Sequence, residues 1–146
     1  MKKILVPVSI HSSPAQLRSA AAEAIAIYYG ETSVQVHLLS VQVPLSLHVA
    51  EFFDCGELRQ IHLDAGKAEL APVAAALDKA DVPYLTHIET GRTAETIVRF
   101  ATETKCDRII MGKAPQAGFA EKLFGTLASE VRHLLGRSGS CRVIGS

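Results

Sequence analysis

The chain has 146 residues, 48% of them hydrophobic, which is ample for one continuous core, and its 15 basic side chains balance 15 acidic ones. A molecule without net charge lacks the field that draws a protein to nucleic acid or to a membrane surface, so neither is expected as a partner. Nowhere do about 18 apolar residues run uninterrupted, and the basic start at Met1, Lys2 and Lys3 is not followed by a leader-like apolar region with a small-residue cleavage site; the protein is read as one cytoplasmic domain over residues 1–146.

Ile4 to Val8 is a short, almost wholly apolar run, as expected of a strand covered on both faces. Ser13 and Gln16 frame Pro14 as a capping box, predicting a helix whose buried face carries Leu17, Ala20, Ala21, Ala24, Ile25 and Tyr28 and which ends at Gly30. Val34 to Val43 reads as a second strand. An irregular stretch from Pro44 to Asp54 follows, then a long helix with Leu58, Ile61, Ala65, Leu70, Val73 and Leu77 on one face and a possible kink at Pro72. Phe52 and Phe53 are expected to pack under that helix rather than cover a pocket.

Pro83 to Ile88 forms a third strand, Ala94, Ile97, Val98 and Ala101 mark a third helix from near Thr93, and Arg108 to Met111 is a fourth strand. After a glycine-punctuated loop, Leu127, Val131, Leu134 and Leu135 line a last helix, and Cys141 to Ile144 is a terminal strand. Strict β/α alternation predicts a parallel sheet with helices on both faces and right-handed crossovers.

In such sheets ligands bind beyond the carboxyl ends of the strands. Three segments emerge there: Ser9 to Ser13, Val41 to Pro44, and Gly112 to Thr126. Glycines 112, 118 and 125 let backbone N–H groups approach an anion, Thr126 is expected at the start of the last helix where the dipole favours negative charge, and Lys113 and Lys122 add positive charge. The same glycines also suit ordinary turns, and Thr126 also suits a plain N-cap. Charge is unevenly spread in the direction that favours an anion: from Lys105 onward seven Lys and Arg stand against three acidic residues.

Other chemistry is poorly supplied. No Gly-x-Ser-x-Gly elbow, His-Glu-x-x-His pair or Walker P-loop occurs. Cys55, Cys106 and Cys141 have neither pair spacing nor histidine partners and read as reduced thiols. Ser138, between Arg137 and Gly139, suits a turn better than a nucleophile, and of the six histidines only His11 lies in a loop near the expected site.

The segments Lys3-Ile-Leu-Val-Pro-Val8, Leu38-Leu-Ser-Val41, Asp107-Arg-Ile-Ile-Met-Gly112 and Gly125-Thr-Leu-Ala-Ser-Glu-Val131, with Gly91-Arg-Thr-Ala-Glu-Thr-Ile97, resemble the universal stress protein family in matching order along almost the whole chain. That resemblance implies a three-layer α/β sandwich of the adenine-nucleotide alpha-hydrolase-like type, with a five-stranded parallel sheet ordered 3-2-1-4-5. It also implies ATP, with Mg²⁺, on a Gly-x2-Gly-x9-Gly-Ser/Thr loop, which Gly112, Gly125 and Thr126 match, while Val41 matches the residue that contacts adenine. The ligand-binding residues it implies are Pro7, Val8, Ser9, Val41, Met111, Gly112, Lys113, Gly118, Gly125, Thr126 and Leu127, and none of them is catalytic or a metal ligand. Pro115 stands where the loop's second glycine belongs and Ser9 where an acidic residue closes the first strand; each substitution weakens binding by roughly 1 to 3 kcal/mol.

The resemblance further implies a homodimer formed through the terminal strand, Cys141 to Ile144, which here carries Arg142. Three functions stay open: a stress-response protein that binds ATP weakly as a regulatory switch, with at most very slow hydrolysis; a dimeric stress protein that binds no nucleotide and acts through protein interactions; and an enzyme of the wider nucleotide-binding α/β group, for which no Ser-Gly-Gly adenylating loop or His-x-Gly-His motif is present.

Overall fold

A computed structural model describes residues 1–9, 12–112, 119–136 and 141–144, with side chains outside 119–126. The elements are β1 Lys2–Val8, α1 Pro14–Gly30, β2 Val34–Gln42, α2 Leu47–Ala50, α3 Cys55–Lys79, β3 Tyr84–Thr90, α4 Thr93–Thr104, β4 Arg108–Ile110, α5 Phe119–Leu135 and β5 Arg142–Ile144. All five strands form one parallel sheet ordered β3-β2-β1-β4-β5.

Alternation along the central strands divides the core into two layers, because successive side chains of a strand point to opposite faces. Ile4, Val6 and Val8 of β1, with Val36 and Leu38 of β2, face α1 and α3, where Ala20, Ala24, Leu70, Val73 and Leu77 cover them. Leu5 of β1, with Leu39 and Val41 of β2, faces α4 and α5, packing on Ile97, Phe100, Ala128 and Val131. Ile4, Leu5, Leu38 and Leu39 are wholly inaccessible to solvent, as befits strands covered on both sides.

Helix starts follow their local chemistry. Ser13 Oγ accepts the Gln16 N–H at 3.2 Å while Gln16 Oε1 accepts the Ser13 N–H at 2.9 Å, the complete capping box ahead of Pro14. Asp54 and Glu57 make the same reciprocal pair at the start of α3. That helix runs on through Pro72, which is exposed, so the carbonyl it leaves unpaired lies on the solvent side.

Several expectations change. α1 does end at Gly30, but without a left-handed glycine: the cap is Glu31 in an extended conformation, its N–H bonded to Ile27 O, and the turn uses Ser33 at φ 57°. The stretch after β2 contains the short helix α2, capped by Ser46. Phe52 is 74% exposed, edge-on to the His48 ring, and does not pack under α3; Leu134 is also exposed rather than on the buried face.

The largest change concerns α5. It starts at Phe119, so Gly125 and Thr126 lie in its second turn and Thr126 is not at its start. Ala120, Glu121, Lys122 and Leu123 are good helix formers, and one interior glycine costs only about 1 kcal/mol, too little to hold the helix back. The unpaired N–H groups of the helix start belong to residues 119–122 instead.

At the amino ends of the strands, Glu31 receives two bonds from Arg108, at 2.7 and 2.8 Å, and one from Lys2 at 3.0 Å. The Arg108 guanidinium first, and then the Lys2 ammonium, holds the Glu31 carboxyl down to about 2. Asp107 ties β1 to β4 by accepting the Lys3 N–H at 3.0 Å and donating its own N–H to Lys3 O at 2.7 Å. The polar members of the Lys3 and Asp107 segments thus serve the fold at the end remote from the expected site.

Candidate functional site

The β1–β2 ladder ends at Val8 opposite Ser40, and Ser9 follows, buried at 7% exposure. Its N–H donates to Ser12 Oγ at 3.1 Å and its carbonyl accepts the Ser12 N–H at 3.0 Å, a closed turn that hands the chain to the Ser13 cap. The carboxyl end of β1 and the amino end of α1 are therefore joined by short polar bonds, and the helix start faces the region beyond the strands.

Three of the expected residues fall in one layer of the core. Met111 donates its N–H to Ile144 O at 2.8 Å, and its side chain joins Val41 in the α4/α5 layer, with Leu127 packed against the same cluster. Val41, Met111 and Leu127 thus belong to one apolar layer, entered from β2, from the residue that follows β4 and from α5, with Val41 and Met111 buried in it. Pro7 is buried on β1, while Val8 points into the opposite layer toward α1 and α3, so its side chain is not part of that layer.

Gly112 follows at φ 75°, and a Cβ there would collide with the backbone carbonyl oxygen of Gln16 and press on Ala20 Cβ at 3.2 Å. Left-handed backbone and close approach both require glycine at this point. Lys113, Pro115 and Gly118 lie outside the described residues, as does His11; Gly125 and Thr126 are described by backbone only, within α5.

Ser9 supplies no carboxylate, but α3 brings one to the carboxyl end of β2. Glu69 accepts Ser40 Oγ–H at 3.1 Å and Gln42 Nε2–H at 2.8 Å, and Gln42 also donates to Ser40 Oγ at 3.0 Å. Ser40 and Gln42 are buried, and their spacing of two puts both on the α3 face. Two polar residues two positions apart at the end of the strand were the available signal; the partner, 29 residues from Ser40, was not.

A second buried polar group sits lower on the sheet. His37 Nε2 donates to Gln35 Oε1 at 2.8 Å, which leaves Nδ1 to accept from His87 Nε2 at 2.9 Å, the rings stacked beside Phe100. Burial first, then the neighbouring His87, lowers His37 to about 4; burial likewise lowers His87. Burial pushes the Cys106 and Cys141 thiols up to about 11, so neither is a thiolate at neutral pH. Among the described residues no three His, Cys, Asp or Glu side chains converge as metal ligands, and no helix is long and apolar enough to cross a membrane.

A five-stranded parallel sheet in this order, with helices on both faces and a turn, a helix start and a left-handed glycine gathered at the carboxyl ends of its middle strands, defines a doubly wound α/β protein. The model of the universal stress protein family matches residues 1–135, and the chain belongs to that family. No curated protein sequence matches it.

Solved structures agree on the fold. A protein used as a test case for assigning biochemical function from structure is 25% identical, with a TM-score of 0.69, over 99% of this chain and 96% of its own. A universal stress protein family member from Arabidopsis thaliana with AMP bound is 16% identical, with a TM-score of 0.63, over 99% and 90%. A universal stress protein in complex with cAMP is 17% identical, with a TM-score of 0.62, over 97% and 95%.

Proposed function

We propose that this stress-family protein binds an adenine nucleotide beyond the carboxyl ends of β1, β2 and β4 and uses the bound state as a regulatory signal, with hydrolysis very slow if it occurs. The observation that carries this reading is the convergence of the Ser9 turn, the end of β2 at Val41 and the left-handed Gly112 at one end of the sheet. Backbone N–H groups with the basic charge of the C-terminal part suit phosphate. AMP and cAMP in stress proteins of the same fold support the choice of ligand. Mg²⁺ would be held through the phosphates and water, which is its usual manner beside a nucleotide.

Titration calorimetry and thermal shift with ATP and Mg²⁺, and with AMP, test the reading. Ligand at about 100 times Kd stabilises the fold by roughly 2.7 kcal/mol. Absence of both heat and thermal shift at millimolar nucleotide sinks it.

A second reading, a dimer that acts through protein contact without nucleotide, has one observation in its favour: Val43, Leu47, Val49 and Phe52 are exposed on the segment that follows β2, at the same end of the sheet. In both readings the protein is cytoplasmic and pairs with a second copy along the free edge of β5.

A further inference from the structure

The two edge strands of the sheet are built differently. β5 is three residues long, whereas β3 runs for seven, paired with β2 in unbroken register and containing no proline, lysine or glycine. Proteins blunt an exposed edge with such residues, with bulges or with short strands, because its unpaired backbone groups accept another chain. Gly91, just past β3, donates its N–H to Gln42 O at 3.0 Å. Bonds to one neighbour recur at every second residue of a parallel strand, so Leu85, His87 and Glu89 bond β2. The N–H and C=O groups of Thr86 and Ile88 therefore point outward, without a backbone partner among the described residues.

Side chains turn this edge into a groove. Tyr84, Thr86 and Ile88, with Leu63, Ala71 and Ala74 of α3, line a mainly apolar cleft of about 330 Å³, and the exposed Lys67 borders it. On the other face of the strand Leu85 is 45% exposed, so apolar surface is open on both sides of the edge. Lys67 makes no ion pair among the described residues. The nearest acids along α3 are turned elsewhere: Asp64 accepts Gln60 Nε2–H at 2.8 Å, and Glu69 accepts Ser40 and Gln42.

We propose that the β3 edge receives an extended segment of a partner protein, added to the sheet as a further strand, with apolar side chains at alternate positions and a carboxylate for Lys67. The outward backbone groups call for an extended chain, since only its own N–H and C=O groups match them in spacing. The cleft takes every second side chain, and the unpaired ammonium selects an acidic one. A second copy of this chain does not supply that acid: its β3 would lay Tyr84, Thr86, Ile88 and Thr90 along the groove, while Glu89 lies on the opposite face.

The test is NMR titration of the isotope-labelled full chain, without nucleotide, with a synthetic peptide of alternating valine and threonine that carries one glutamate in a valine position. The amides of Thr86 and Ile88 should shift. N-methylation of one alternate set of peptide amides, the set facing β3, should abolish binding, and methylation of the other set should not. Lysine in place of the peptide glutamate should weaken binding about fivefold, and Lys67→Glu should reverse that preference. Thr86→Pro, checked for native circular dichroism, removes an outward N–H that the sheet does not use and should also abolish binding. No shift at millimolar peptide, or binding that survives methylation of either set, overturns the proposal. Self-association of the native chain that Thr86→Pro abolishes also overturns it, by giving the edge to a second copy.

Discussion

Gly112 and Gln16 are packed so closely that the space for a side chain at 112 is already filled by the Gln16 carbonyl oxygen. The end of β4 and the first turn of α1 are thereby held together at the point where two strands open onto the candidate site. A left-handed φ of 75° at the same residue makes the requirement for glycine double.

Gly112→Ala is therefore expected to destabilise the protein by about 2 to 4 kcal/mol, from the left-handed backbone and the displaced α1 together. Gly30→Ala is the control, since nothing lies within 4 Å of a Cβ there and the residue is helical. It should be neutral or stabilising by up to about 1 kcal/mol. Urea unfolding of the two variants decides; equal effects would contradict the packing.

The His37–His87 pair predicts an acid-side loss of stability. Folding holds His37 at about 4, below its ordinary 6.5, so between these values the unfolded chain binds more protons than the folded one. The pair's contribution is complete above pH 6.5, declines as pH falls toward 4, and changes little below that. Thermal unfolding in steps from pH 7 to 4 should show this slope, and His37→Phe should flatten it. A slope identical in the variant would assign the loss to other groups.

Removing the α1 cap by Ser13→Ala should cost about 1 kcal/mol, the usual value for a lost N-cap acceptor. Denaturant midpoints measure the effect; stability unchanged within about 0.3 kcal/mol would show that the cap is replaced by water.

Ser9→Asp combined with Pro115→Gly restores an acidic group and a backbone donor at positions where this chain departs from its family's pattern. Each contact is worth roughly 1 to 3 kcal/mol, so the double variant should bind ATP about 30-fold or more tightly than the native chain. Binding that is already tight and indifferent to both changes would mean that the site does not depend on these positions.

Pairing through β5 predicts a dimer by light scattering at micromolar concentration. Arg142 N–H and Ile144 O bond toward β4, which leaves the Val143 N–H and carbonyl on the free edge. Val143→Pro deletes that donor and should yield a monomer. A native protein of monomeric mass removes the prediction.

Much of the fold was legible because its signals are local. The capping box at Ser13 and Gln16, the apolar run before Ser9 and the helical spacing from Leu70 to Leu77 each follow from residues a few positions apart, and the structure contains each as read. Sheet order came through resemblance rather than periodicity, which says that strands exist and not which ones are neighbours. The start of α5 was misplaced because glycine is a weak local stop signal when strong helix formers precede it.

The candidate site divides along the same line. By itself the sequence determined the alternating elements and the family, since these depend on patterns repeated along the chain. Only the tertiary structure decided that Glu69 meets Ser40 and Gln42, that His37 meets His87 across 50 residues, that Glu31 anchors Arg108 across 77, and that the Gln16 amide is buried without a partner among the described residues. Such meetings depend on where packed layers bring distant segments together, and no spacing within a single element encodes that.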